Sequence, residues 1–280
     1  MSRIKVVTDS SAHFRPGVAD RLDIVIVPQD VHLDGVTYQE GVDVTSKEFL
    51  QKMAAVTEMP TVSPPSVATM AELYRQLHRQ ADEIISLHVS SQLSRTCENA
   101  RVAAQPLLGR CDIVVIDSLS ASLGLGMLVE TAAEAAASGV SLDEVVRLIR
   151  GTIPHVYMIF LVDALEYLER EKRIRPSQAV LGAMLGIKPL LTLEDGRLLP
   201  MEKVRTRALG VEKLLDFISE FVEIEQLAIL QSSFSEDTAL LLEGLELLYP
   251  DWDIPVFTYT PSLAVHLGTE ALGVAIYERV

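Results

Sequence analysis

The chain has 280 residues, 49% of them hydrophobic, with 24 Lys and Arg against 39 Asp and Glu and a formal net charge of −15. That length suits two compact lobes or one large one, with ample apolar material for buried cores. The charge argues against nucleic acid, which needs Lys and Arg to neutralise phosphates, so an acidic ligand would be held by local hydrogen bonds or placed cations.

Residues 4–7 (Ile-Lys-Val-Val) read as a strand rather than an export signal, and no run of about 18 apolar residues is present. Cys97 and Cys111 are the only cysteines, which suggests no disulfide framework. A cytoplasmic protein, not integral to a membrane, is expected. None of the six histidines stands three or four positions from another His or Cys, so no metal site is expected.

Strand and helix then alternate. Buried-strand runs occur at 4–7, 24–27, 84–89 and 113–116. Residues 31–33 and 36–38 read as a hairpin, because Asp34-Gly35 supplies the positive φ angles of its turn. Thr45 to Glu48 forms a capping-box pattern before Phe49, Leu50 and Met53. Further helices are expected over 66–79, 122–137 and, from the Ser141/Glu144 box, 141–150. Past Gly151 and Pro154 the order changes. Strands at 157–161, 187–193, 227–230 and 256–259 and a last segment at 272–277 are joined by helices starting near Asp163, Arg207 and Glu236, with Glu194-Asp195-Gly196 turning into a return strand to about Val204. The reading is two α/β lobes, residues 1–153 with a mostly parallel sheet and 154–280 with a mixed sheet, leaving a cleft where small ligands usually bind.

Two hydroxyl-rich segments stand out. Thr61-Val62-Ser63-Pro64-Pro65-Ser66 reads as a Pro-stiffened loop leading to a helix that Ser66 caps, and hydroxyls at such a helix start suit an anion. Ser90-Ser91-Gln92-Leu93-Ser94-Arg95-Thr96 follows a buried strand at its carboxyl end, the usual ligand face of an open α/β sheet. Gly124-Leu125-Gly126 lacks the third glycine of a dinucleotide loop, since Val129 stands there, and no phosphate-loop pattern occurs. The charges of Glu166 to Lys172 read as a solvated helix end.

Taken in order, Val7-Thr8-Asp9-Ser10-Ser11, Gly41-Val42-Asp43, Thr61 with Pro64, Leu93-Ser94 with Thr96, Leu165-Glu166-Tyr167-Leu168 with Arg173-Ile174, Lys188-Pro189, Asp195-Gly196, Val204-Arg205-Thr206 and His266-Leu267-Gly268 resemble the DegV family of bacterial fatty-acid-binding proteins over essentially the whole chain. The resemblance implies a long-chain fatty acid in a tunnel between the two lobes. Its carboxylate would lie against Thr61, Ser94 and nearby amides, with His266 close by. It implies no cofactor and no catalysis by this chain. The implied partner is a separate ATP-dependent fatty acid kinase that converts the carboxylate to an acyl phosphate, with Arg173 and Arg205 near that surface for phosphotransfer or docking.

The ligand is physically coherent: burying roughly 15 methylenes at about 0.8 kcal/mol each gains on the order of 10 kcal/mol before ordering costs. Its carboxylate needs the charge-assisted hydrogen bonds that hydroxyls and helix-start amides supply. The chain departs from the family pattern at Arg95, which replaces a glycine and either pairs with the carboxylate or turns away. Glu171-Lys172 replaces Gly-Gly, Val62-Ser63 replaces Ser-Gln, and the usual proline after Gly268 is missing. Two other classes stay open. One is a kinase subunit for a polyol such as dihydroxyacetone. The other is a serine esterase using Ser94, His266 and Asp117, although no G-x-S-x-G elbow surrounds Ser94.

Overall fold

The computed structural model describes residues 4–163, 169 and 186–279. The apolar runs of the first half become β1 (Ile4–Asp9), β2 (Ile24–Val27), β6 (Glu83–His88) and β7 (Asp112–Asp117), all parallel in the order β2-β1-β6-β7. All six residues of β1 are buried, which is why the run shows no polar alternation: helices cover both faces of the sheet.

A three-stranded antiparallel sheet adjoins it, with β3 (Asp30–Leu33) between β4 (Val36–Gln39) and β5 (Thr61–Ser63). The β3–β4 turn has the expected positive φ at Asp34 (51°) and Gly35 (71°). Residues 61–63 form a short strand instead of the loop read from the sequence. Ser63 precedes Pro64, which disfavours its helical region, and β3 offers the extended segment a free edge.

Helices α1 (Val18–Arg21), α2 (Ser46–Ala54), α3 (Val67–Leu77), α4 (Thr96–Ala104), α5 (Ser122–Ser138) and α6 (Leu142–Thr152) complete the first half. Thr45 and Ser141 make the two capping boxes, and the Ser66 hydroxyl caps α3. Helix α5 buries residues all round its first turns because it lies between two sheets. Its glycines belong to that packing. A Cβ on Gly126 would collide with the His13 carbonyl oxygen, and one on Gly124 with Ser120 and Met158.

The second half is a six-stranded mixed sheet, β10-β9-β8-β13-β11-β12. Its strands are β8 (Val156–Leu161), β9 (Lys188–Glu194), β10 (Arg197–Val204), β11 (Ile224–Gln231), β12 (Val256–Thr258) and β13 (Leu272–Glu278). Only β11 and β12 pair parallel; Asp195 (φ 47°) and Gly196 (φ 76°) turn β9 into β10. Helices α7 (Arg207–Ser219), α8 (Glu236–Leu248) and α9 (Pro261–Leu267) accompany it. Helix α9 has no counterpart in the sequence reading: it is seven residues long and buried on nearly every side, so it shows no amphipathic stripe. The helix expected from near Asp163, and Arg173 with it, lie outside the described residues.

Between the sheets lies one apolar cluster fed by both halves. Val31, Phe49, Leu50, Met53, Leu123 and Met127 meet Phe160, Val162, Leu191, Leu198, Tyr259, Leu263 and Leu267. Polar ties cross the same divide, among them Ser90 Oγ donating to the Gly196 carbonyl (2.7 Å) and Arg197 Nε to Gln92 Oε1 (2.9 Å). No helix among the described residues is long and apolar enough to cross a membrane.

Candidate functional site

The carboxyl ends of β1 and β6 point at the N-terminus of α5 and at α9. Between them is a cavity of about 20 Å³. Its polar wall is Ser11, Gln29, Ser94, Ser122, Ser262 and His266, and its apolar wall includes Val62, Leu93 and Leu263, which continue into the interlobe cluster. As it stands the space admits one water or one oxygen of a head group.

The wall is braced from behind by Asp9, which has no solvent exposure. Its Oδ1 accepts hydrogen bonds from the Ser11 hydroxyl, the Ser11 N–H (3.2 Å) and Gln29 Nε2 (3.2 Å). Its Oδ2 meets His88 Nδ1 and the Val89 N–H, each at 3.0 Å. Burial alone would push this carboxyl up, but the bonds and charge offered by His88, with Ser11 and Val89, hold it below its ordinary value. Asp9 is thus a fixed acceptor that sets Ser11 and Gln29 at the cavity.

Behind His88 the chain continues. His88 Nε2 lies 2.7 Å from Ser86 Oγ, which lies 2.8 Å from the Tyr74 hydroxyl. Ser86, His88 and Asp9 have the order and spacing of a hydrolase triad, yet all three are completely buried and Ser86 does not line the cavity. A nucleophile must meet its substrate, so this chain is a brace for Asp9. The trio Ser94, His266 and Asp117 is not assembled as a relay either. The Asp117 carboxylate takes the backbone N–H groups of Ser91 and Leu119.

A second buried carboxyl joins the halves. Glu40, 3% exposed, accepts from Ser10 Oγ through Oε2 and from the Ser262 N–H at the start of α9 through Oε1, both at 2.6 Å. Burial raises its pKa to about 7 against the pull of those hydrogen bonds, and the Asp9 charge adds to the rise. Ser10 also accepts from the Gln29 N–H (2.9 Å), so one network runs from β1 through Glu40 to α9.

The residues singled out in the sequence fall into three groups. Ser94 and His266 are brought together on the cavity, from segments 172 positions apart. The Ser94 hydroxyl lies 2.8 Å from Thr96 Oγ1 and accepts from the Thr96 N–H (3.3 Å), which holds the loop entering α4. Thr61 is exposed: Val62 faces the cavity, and strand alternation turns Thr61 and Ser63 to the other face, where Ser63 bonds His32 Nε2 (2.8 Å). Arg95 is turned outward, its guanidinium on Glu98 at 2.8 and 3.1 Å, with its side chain 74% exposed. Its φ is −85°, so the backbone there does not require the glycine it replaces. Arg205 is exposed just before α7. Lys188 and Arg207 form a clamp on Asp163 at 2.6 and 2.8 Å.

Reading by residue type alone missed Ser11, Gln29, Ser122 and Ser262. The density of hydroxyls in Thr8-Asp9-Ser10-Ser11 at a strand's carboxyl end was the available signal for the first. Gln29, Ser122 and Ser262 carried none, because each becomes polar wall only through contacts between distant segments.

Comparison with known proteins gives one consistent result. A family model described as "Uncharacterised protein, DegV family" matches residues 3–279. A DegV domain-containing protein of Deinococcus radiodurans is 34% identical over 277 residues, 98% of each chain. A fatty-acid-binding DegV family protein from Thermus thermophilus superposes with a TM-score of 0.87 at 32% identity, covering 99% of this chain and 100% of that one. DegV of Bacillus subtilis, a fatty acid binding protein, superposes with a TM-score of 0.85 at 27% identity over the whole of both chains. With a matching model over nearly its full length and the same fold in these relatives, the chain belongs to the DegV family.

Proposed function

We propose that this chain binds a long-chain fatty acid between its lobes. The head group occupies the hydroxyl-lined cavity at Ser94 and His266, and the hydrocarbon lies along the interlobe apolar cluster. The observation that carries the reading is the joining of these two environments: Leu263 belongs to the cluster and lines the cavity, and Val62 and Leu93 line it while packing on the cluster. A polar end opening onto a long apolar path suits an amphiphile with one acidic group. The Thermus and Bacillus relatives, described as binding fatty acid, support the same ligand class.

A cavity of about 20 Å³ is far below the roughly 300 Å³ and more of ordinary ligand pockets. Binding therefore requires side chains of the interlobe cluster to part around the hydrocarbon, whose burial offsets the contacts they lose. Thr61 enters the carboxylate site on the resemblance alone, as do Arg173 and Arg205 as groups for phosphotransfer or kinase docking. In this reading the chain is a cytoplasmic carrier that presents the carboxylate to a separate ATP-dependent fatty acid kinase.

Native mass spectrometry of the purified protein tests the ligand: a mass increment of one fatty acid should be present and should vanish on denaturation. An increment that survives denaturation would indicate a covalent adduct and the polyol-kinase alternative instead. For the partner role, the loaded protein, ATP and a purified fatty acid kinase should together yield acyl phosphate, trapped as the hydroxamate. Hydroxamate formed equally well from free fatty acid would remove the carrier from the reaction.

A further inference from the structure

Two polar atoms on the cavity wall are buried and have no hydrogen-bond partner among the described residues: Ser122 Oγ and Gln29 Oε1. Ser122 is 0% exposed and Gln29 1%. An unpaired buried hydroxyl loses its hydration without compensation, so native proteins rarely leave one without a purpose. The other hydroxyls of the wall are engaged: Ser11 with Asp9, Ser94 with Thr96, and Ser262 with Thr260 at 3.2 Å.

Ser122 also carries backbone strain. Its φ is +47°, a left-handed conformation that a residue with a Cβ adopts only under strain. It is the first residue of the 17-residue helix α5, preceded by Ala121, which cannot cap the helix with its side chain. The strained conformation is fixed on one side by the His13 N–H, which donates to the Ser122 carbonyl (3.1 Å). A free hydroxyl thus stands with the positive end of a helix dipole, an arrangement that favours an anion.

We propose that Ser122 is an anchor of the ligand's head group, donating its hydroxyl hydrogen bond to a carboxylate oxygen at the N-terminus of α5. Gln29 Oε1 faces the same space as an acceptor. A carboxylate has no hydrogen to give it, so once the cavity has opened around the ligand Gln29 holds a water that donates both to Oε1 and to the second carboxylate oxygen. The Gln29 amide cannot reverse to serve the carboxylate directly, because its Nε2 is committed to Asp9. The inference rests on the fatty-acid reading above and adds the residue that supplies the uncommitted donor.

The test is fluorescence or calorimetric titration of a long-chain fatty acid into delipidated wild type, Ser122→Ala and Ser122→Gly, with thermal melts of each. Ser122→Gly removes the hydroxyl and relieves the positive φ, so it keeps the fold if Ser122→Ala does not. Both variants should bind roughly tenfold or more weakly, as for one lost hydrogen bond to a charged group. The carboxyl resonance of bound 1-¹³C fatty acid should also shift in each. Wild-type affinity and an unmoved carboxyl resonance in Ser122→Gly would overturn the assignment. Failure of the wild type to bind would instead sink the fatty-acid reading, so the two failures are distinguishable.

Discussion

Asp9 Oδ2 and His88 Nδ1 meet at 3.0 Å with neither side chain exposed, joining the carboxyl ends of two adjacent parallel strands beside the cavity at Ser94 and His266. The pair converts two strand ends into one rigid platform, and the cavity residues Ser11 and Gln29 are hung from its carboxylate.

Asp9→Asn should therefore destabilise the fold by about 3 kcal/mol, since removing one partner of a buried pair leaves the other unbalanced. The Asp9 carboxyl is held below its ordinary value of 3.8, so its stabilisation is complete above that pH and fades as pH falls through its lower folded value. Urea unfolding at pH 7 and below pH 4 should show the variant's deficit shrinking in acid. An equal deficit at both pH values would contradict the account.

Glu40 should act with the opposite sign. Its pKa rises from 4.5 to about 7 on folding, so its contribution is full below 4.5 and is lost as pH climbs to 7. Wild type should lose on the order of 3 kcal/mol across that window, at 1.36 kcal/mol per unit. Glu40→Gln keeps an acceptor for the Ser262 N–H and cannot ionise. Its denaturant midpoint should stay nearly level from pH 4.5 to 7, after allowing for other groups by difference.

Ser94 and Arg95 are neighbours in sequence with opposite expectations. Ser94→Ala removes a hydroxyl from the cavity wall and should weaken fatty-acid binding by about 1–2 kcal/mol. Arg95→Ala breaks only an exposed pair with Glu98 and should change affinity by under about 0.5 kcal/mol. A fluorescent fatty-acid titration ranks them, and a larger loss for Arg95 would show that its side chain swings inward on binding.

Two glycines in helices should respond in opposite directions to alanine. Gly126→Ala drives a Cβ into the His13 carbonyl, and such overpacking should cost about 1–3 kcal/mol or more. Gly151 in α6 has nothing within 4 Å of an added Cβ, so Gly151→Ala should stabilise by about 0.5–1 kcal/mol through helix propensity. Thermal melts of the two variants against wild type check both signs.

Much of the fold was legible along the chain because its determinants are local. The continuous Val and Ile runs of β1, β6 and β7, the capping boxes at Thr45 and Ser141, and the Asp-Gly turns at residues 34–35 and 195–196 act over a few residues, within the reach of a sequence pattern. Some elements escaped, α9 and β5 among them. Helix α9 is too short and too thoroughly buried to show a period, and β5 exists because the edge of β3 is there to pair with it.

The cavity at Ser94 and His266 divides in the same way. Local patterns along the chain are enough to specify a two-lobe α/β fold with a hydroxyl-rich loop at Ser94 after a buried strand, and the ordered motifs carry the family resemblance that points to His266. It takes the folded chain to show that Ser94 and His266 share one cavity with Gln29, Ser122 and Ser262, that Arg95 turns away to Glu98, and that Ser86, His88 and Asp9 form a buried brace. The physical reason is range. Strand runs and caps are fixed by neighbours, whereas which polar atoms are paired, buried or left free depends on segments that only packing brings together.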